Sequence, residues 1–422
     1  MNAINPFRSF WMAGYECSDH LNLHGDRIDL LKTTGHLDLL QTDYRLLEPF
    51  HIKTVREGIR WSMVERQPYQ YDWSEIRNRS AAAIQNNLQV VYDLCHFGFP
   101  DDLTPLHPKF TDRFRAMCTS FVHFHKTCFP DEQLIITPIN EAGFLAWMGG
   151  EVCHTAPYCQ GIGWQVKYQL MKSYIAGIKA IKAVDPAARM LTVEPLTQVL
   201  PDIHHPDALE AAEQINENRF QCLDMLCGRL CPELGGSMEY LDILGFDYYY
   251  DSQWFYPGNR IADWKAPEHL PEARPLHILL REVYQRYGRP ILLSETSHPL
   301  EDRPQWIQMI TRECRKVLEE AIPFWGICLY PVLDRPDWNE PGRWHRCGLW
   351  DIPDDSLKRV LHTPFAAALT RCQEELAGVI AAMEKKETPA DFTDLEKCVG
   401  LGCTGNGISC IKEQGRSGVS GI

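Results

Sequence analysis

Eight short apolar runs recur along the chain, separated by stretches with helical spacing, and no other feature constrains the fold as strongly. The runs are Phe10 to Glu16, His51 to Trp61, Gln89 to His96, Leu134 to Asn140, Arg189 to Pro195, Leu241 to Tyr249, Pro290 to Glu295 and Pro323 to Val332. Each is rich in Ile, Val, Leu or aromatics, as strands covered on both faces should be. Between them lie Gly35 to Leu47 (Leu37, Leu40, Tyr44 and Leu47 on one stripe), Trp73 to Asn86 with Asp72 as a candidate N-cap, Thr111 to Cys128, Trp164 to Val184, Ala208 to Cys227, Leu276 to Tyr287 and Pro304 to Ala321. A last helical stretch, Leu357 to Met383, carries a predicted interruption near Pro364. Asp185-Pro186 and Gly288 are stop signals. Strands alternating with helices give parallel βα units, and eight of them close into a (β/α)8 TIM barrel, an α/β fold. A doubly wound sheet is the alternative, but it rarely shows eight regular units with polar residues at so many strand ends.

A barrel uses 250 residues or more as one domain, so one barrel over residues 1–386 accounts for most of the 422 residues. After Lys386 the character changes. Residues 387–422 are rich in Gly, Ser and Thr without a clear period, which predicts a disordered tail. The net charge of -14 argues against a nucleic-acid partner and against an anionic membrane surface. No run of eighteen apolar residues occurs, and the first residues show no signal-peptide pattern. Sixteen cysteines without a secretory signal predict reduced thiols in a cytoplasmic protein.

The chemistry is concentrated where strands end. Leu134-Ile135-Ile136-Thr137 runs through Pro138 and stops at Asn140-Glu141, and Pro290 to Ser294 stops at Glu295. Polar residues at the exits of barrel strands are where this architecture keeps its active sites. Two glutamates facing each other across a barrel mouth are the minimum for hydrolysing a glycosidic bond with retention. Other strand ends offer groups suited to a sugar: Arg56 and Arg60-Trp61, Tyr92 to Pro100 with His96, Asp247-Tyr248-Tyr249-Tyr250, and Leu333 to Trp338. Flat aromatics take the apolar face of a pyranose, and planar polar groups hold its hydroxyls.

These motifs, in this order, resemble glycoside hydrolase family 1, the retaining β-glycosidases with catalytic glutamates on strands four and seven. Leu94 to Pro100 approaches the family's LYHWDLP, Asn140-Glu141-Ala142 its NEP, and Gly245-Phe246-Asp247-Tyr248-Tyr249 its GINYY. Ser294-Glu295-Thr296-Ser297 resembles TENG, Val332 to Trp338 resembles LLDNFEW, and Arg346-Cys347-Gly348-Leu349 resembles RFGL. The resemblance covers roughly Phe10 to Asp351. The chain departs from the pattern at Ala142, where the family has proline, and at Thr296-Ser297. Glu16 stands at the first-strand glutamine and Asp337 at the eighth-strand glutamate. The second-strand arginine falls on Arg56 or Arg60, with Arg60 carried as the candidate.

The resemblance implies Glu141 as the general acid and then base, and Glu295 as the nucleophile, their carboxyls about 5–5.5 Å apart. Asn140 is expected to contact the sugar 2-hydroxyl, and Tyr249, with Tyr248 and Tyr250 as alternatives, to hydrogen-bond Glu295. His96, Trp338, Glu16, Arg60 and Asp337 are expected to bind the sugar. Cys222, Cys227 and Cys231, and Cys398, Cys403 and Cys410, lack the close pairs of a zinc site. No metal and no organic cofactor is expected. The expected activity is a β-glucosidase-like hydrolysis of small soluble β-glycosides. Its rivals are another glycosidase specificity on the same barrel and a carbohydrate-binding barrel without turnover.

Overall fold

The computed structural model describes residues 4–387 apart from 203, 267–269, 271–272 and 354–355, with side chains to 382. Eight parallel strands close into a barrel: β1 (Trp11–Gly14), β2 (Thr54–Gly58), β3 (Gln89–Asp93), β4 (Ile135–Thr137), β5 (Arg189–Pro195), β6 (Ile243–Asp247), β7 (Ile291–Thr296) and β8 (Phe324–Leu329). Each strand pairs with its neighbours in sequence, and β8 closes on β1 through Trp11–Ile327, Met12–Cys328 and Ala13–Leu329. The fold is the expected (β/α)8 barrel. The expected tail lies outside the described residues save for Glu387, which ends the last helix.

Alternation along the strands sorts side chains to two faces. Met12, Val91, Ile135, Leu191, Val193, Ile243, Leu292, Trp325, Cys328 and Tyr330 fill the inside of the barrel. The opposite faces pack beneath the helices. Phe110–Cys128 and Gly163–Val184 lie against each other where Gly177 leaves room: a Cβ there would come within 2.7 Å of Phe114. The helix Ser74–Gln85 has Trp73 at its N-cap, without a side-chain cap, so the expected cap Asp72 falls one residue early, where it accepts the Ser74 N–H at 3.0 Å; Leu276–Tyr287 ends on Gly288 in the left-handed region (φ 61°).

Three differences from the sequence reading have local causes. The stretch Ala208 to Cys227 breaks at Arg219-Phe220 into Ala208–Asn218 and Gln221–Leu226. Pro364 opens the last helix, Thr363–Glu387, instead of interrupting one, since the first helical turn needs no proline N–H. Two small sheets, one of Gln198–Pro201, Gln253–Tyr256 and Arg260–Ile261 and one of Trp350–Asp351 with Val360–Leu361, are too short to leave a period in the sequence. Among the described residues the cysteines are free thiols, and no helix is long and apolar enough to cross a membrane.

Candidate active site

The site is assembled at the carboxyl ends of the strands, and Arg56 is its central post. Arg56 lies inside β2 and is fully buried. One guanidinium nitrogen donates to the Ser294 carbonyl at 2.8 Å and to Glu295 Oε1 at 3.0 Å. The other donates to Asp93 Oδ2 at 2.8 Å and Asn140 Oδ1 at 3.0 Å. One planar cation thus fixes groups from β3, from the segment after β4 and from β7, which a rigid fork of donors does well.

Glu295, in β7, is 4 % exposed. Its Oε2 accepts the Tyr249 hydroxyl at 2.6 Å. Burial raises the Glu295 carboxyl, while Arg56, His96 and the Tyr249 hydroxyl pull it back. Glu141 lies just past β4 in the left-handed backbone region (φ 43°), its N–H on the Val193 carbonyl at 2.9 Å, and opens the short helix Ala142–Ala146. A non-glycine residue held in that conformation marks a constrained position. Burial raises the Glu141 carboxyl well above the carboxylate range, and the charges of Glu295 and Glu194 add to it. The net effect raises both carboxyls, Glu141 well above the carboxylate range and Glu295 less so because Arg56, His96 and Tyr249 offset its burial, so the two acids differ in their surroundings.

Around this pair, Asn140 is fully buried, with its amide nitrogen sealed from solvent and without a partner. His96 sits between Asp93 (Nδ1 to Oδ2, 3.2 Å) and the Tyr330 hydroxyl (Nε2, 3.2 Å), 3.7 Å from Glu16 Oε1. Burial opposes its charge, but Cys17, Asp93 and Glu16 raise the imidazole well above its usual value. Glu16 accepts from the Ser18 N–H at 3.1 Å and hydroxyl at 2.6 Å and meets Arg335 Nε at 3.3 Å. Burial works against it, yet Arg335, His96 and Ser18 hold its carboxyl below the ordinary value. Trp338 packs its ring against His20, Phe97 and Phe144, with the Arg335 guanidinium 5.2 Å from the ring centre, and its indole N–H is buried without a partner.

Two of the expected residues stand apart from this network. Arg60 follows the end of β2, where Asp29 (2.5 Å) and Glu75 hold it at the flank. The arginine on Glu295 is Arg56, the alternative left open by the sequence, because the strand ends at Gly58 and Arg60 lies beyond it in the left-handed region (φ 51°). Asp337 is tied into its own loop by Arg343, by His345 at 3.1 Å and by the N–H groups of Asn339 and Glu340. Of the tyrosines, Tyr249 contacts Glu295, whereas Tyr248 stacks on Trp306 and Tyr250 meets the His298 ring at a tilt of 54°.

Asp93, Asp247, Tyr330 and Arg335 belong to the site and were not singled out from the sequence. Asp247, at the end of β6, accepts the Ser294 hydroxyl at 2.7 Å. Tyr330 offers a flat ring beside His96, 5.1 Å from the Arg56 guanidinium carbon. Glu194, ending β5, accepts the Gly143 N–H at 3.1 Å, and burial pushes its carboxyl up to about 7. Asp93 and Asp247 stood in strand-end runs, and what was missing was the register that turns them toward Arg56 and Ser294; Glu194 is legible as a strand-end carboxylate, and Arg335 lies in the loop beyond β8. Cys17, Asp93 and His96 bring potential metal-ligating atoms within 4.8 Å of one another. The Asp93 oxygen is already bonded to the Arg56 guanidinium, so a metal ion there would face a like charge.

The barrel is similar to solved structures at low sequence identity. The AHE enzyme from Alicyclobacillus herbarius superposes with a TM-score of 0.69 at 15% identity, covering 89% of this chain and 99% of that one. A family 1 β-glucosidase from Thermotoga maritima gives 0.68 at 12% identity, covering 87% and 99%. The Thermotoga maritima β-glucosidase in complex with glucoimidazole gives 0.68 at 13% identity over the same shares. No protein-family model matches the sequence, and no curated protein compared with it does. The likeness is one of fold.

Proposed function

We propose that the protein is a retaining β-glycosidase acting on small soluble β-glycosides. The observation that carries this reading is the Glu295 carboxylate, held by Arg56 at 3.0 Å and Tyr249 at 2.6 Å, beside a Glu141 whose surroundings favour its protonated form. In this reading Glu141 gives its proton to the glycosidic oxygen as Glu295 attacks the anomeric carbon. Glu141 then takes a proton from the water that releases the sugar. Asn140 directs its unpartnered amide to the 2-hydroxyl, and Tyr330 and Trp338 supply apolar faces. The fold shared with β-glucosidases is consistent with this chemistry and leaves the sugar open.

A second reading, the same reaction on a different sugar, is favoured by the Glu16–Arg335 pair, which puts opposite charges at the expected glycone edge. The test is turnover of a panel of aryl β-glycosides by the wild type, Glu141→Ala and Glu295→Ala. Release that vanishes in Glu295→Ala and returns with azide as an inverted glycosyl azide supports the nucleophile. No release from any sugar by folded wild-type protein refutes the hydrolase reading and leaves a binding barrel.

A further inference from the structure

A third carboxyl stands between the two glutamates. Asp247 pairs in register with Glu295 on β7 and with Pro195 on β5, and is 1 % exposed. Its Oδ1 accepts the Ser294 hydroxyl at 2.7 Å; its Oδ2 is sealed from solvent and has no hydrogen-bond partner. The groups that face it are Arg56 from β2, Glu141 from the end of β4, Tyr249 beyond β6, Glu295 from β7 and Cys328 from β8. Glu194 of β5 accepts the Gly143 N–H, and its charge also acts on Glu141. Arg56 is the cation among these, and its outer nitrogens are already bonded to Glu295, Asp93 and Asn140.

An ionised Asp247 would leave one carboxylate oxygen bare in a dry site beside other acids, an arrangement of high cost. A proton on Oδ2 removes that cost by making the bare oxygen a donor, and Glu141 is the acid with which Asp247 hydrogen-bonds. Burial and the charges of Glu295 and Glu141 raise the Asp247 carboxyl well above the carboxylate range, and hydrogen bonding with Asp247 in turn lowers Glu141.

We propose that Asp247 is a positioning residue whose carboxyl carries a proton on Oδ2 and donates it as a hydrogen bond to Glu141, orienting that acid and stabilising its conjugate base. This rests on the glycosidase reading above. The proton that Glu141 gives up ends on the leaving-group oxygen and is replaced from the hydrolytic water; Asp247 keeps its own throughout. The resembling pattern GINYY has asparagine at this position, an amide that donates at any pH. An aspartate donates only while protonated, so the support it gives Glu141 is itself sensitive to pH.

The experiment compares the wild type with Asp247→Asn and Asp247→Ala by pH profiles of kcat/KM and by infrared difference spectra in the carbonyl-stretch region of protonated carboxylic acids. Loss of the donor in Asp247→Ala is expected to move the basic limb upward by about one pH unit and lower kcat about tenfold. Asp247→Asn, which still donates, restores much of both. One protonated-carboxyl band present at neutral pH disappears in either variant. If both variants move the basic limb downward and leave the band in place, Asp247 is ionised in the wild type and the proposal is wrong. Should the wild type hydrolyse no glycoside, the functional reading fails, and the band in the well-folded Asp247→Asn protein still decides the protonation of Asp247.

Discussion

Arg56 and Glu295 meet at 3.0 Å inside the barrel mouth, the arginine fully buried and the glutamate nearly so. The same guanidinium holds Asp93 and Asn140, so the position of the proposed nucleophile and that of the residue preceding the proposed acid depend on one side chain. A lysine keeps the charge but is a compact point that cannot span the four acceptors held by the guanidinium fork. Arg56→Lys is therefore expected to reduce kcat by about 10²–10³-fold, a loss of the size seen when one preorganised electrostatic contact is removed. Arg60→Ala, at a residue tied to Asp29 and Glu75, should leave kcat near the wild-type value. Steady-state kinetics on one aryl glycoside check both, and equal effects of the two changes would show that Arg56 has no special place.

Tyr249 and Glu295 give a prediction with a sign. The phenol donates to the carboxylate at 2.6 Å and lowers the Glu295 carboxyl against the effect of burial. Tyr249→Phe removes that donor, so the Glu295 carboxyl rises and a higher pH is needed to keep it ionised. The acidic limb of kcat/KM is expected to move to higher pH. A hydrogen bond to a charged group is worth about 1.5–3 kcal/mol, which corresponds to a fall in kcat of roughly 10–100-fold. A pH profile with an unmoved acidic limb would assign the tyrosine a packing role only.

How far the sequence discloses this site depends on register. The strand ends at Glu141 and Glu295 are legible because a long apolar run stops at a carboxylate in each. Arg56 and Arg60 could not be separated, since the run from His51 to Trp61 carries both. The strand ends at Gly58, and that end point puts Arg56 inside the barrel and Arg60 beyond it. Asp337 illustrates the reverse: its motif neighbours place it at a strand exit, but Arg343 and His345, from the loop that follows, turn it back on itself. Such loop closures leave no period in a sequence. Tyr330 was hidden for a third reason. An aromatic residue in an apolar run reads as core, and only the structure shows its hydroxyl on His96.

A second buried network joins β2 to the helices packed on it. Glu57 of β2 accepts from His36 at 3.0 Å, from the Tyr44 hydroxyl at 2.7 Å and from Arg79 at 2.6 Å. Burial works against the charge, but His36 and Arg79 dominate and hold the carboxyl at about 2, down from 4.5. At 1.36 kcal/mol per pH unit that depression contributes about 3 kcal/mol, fully present above pH about 4.5 and lost as the pH falls toward 2. His36 is raised chiefly by Glu57 and Asp43 against its burial, so its contribution runs the other way, present at low pH and lost as the pH rises through its folded value. Glu57→Gln is expected to cost about 3 kcal/mol near pH 6 and to flatten the acid side of the stability curve, as read by urea unfolding at several pH values. An unchanged slope between about pH 4.5 and about pH 2 would mean that other carboxylates set the acid limit.

The last prediction concerns the sugar. Arg335 reaches Glu16 at 3.3 Å and stays partly open to solvent over the Trp338 ring, so the rim of the site carries a cation matched by a buried carboxylate. In the wild type these charges offset each other, and an anionic group on the glycone gains little there. Glu16→Gln removes the negative member and keeps the shape, while His96 loses one of the charges that raise it. The freed Arg335 can then pair with a carboxylate at the sugar's C6. A charge-assisted hydrogen bond of about 1.5 kcal/mol corresponds to roughly tenfold in kcat/KM. The ratio of kcat/KM for an aryl β-glucuronide to that for the matching β-glucoside is therefore expected to rise about tenfold in Glu16→Gln, with the change carried by KM. A fall in both activities with an unaltered ratio would place Arg335 and Glu16 in the scaffold of the mouth and remove them from contact with the sugar.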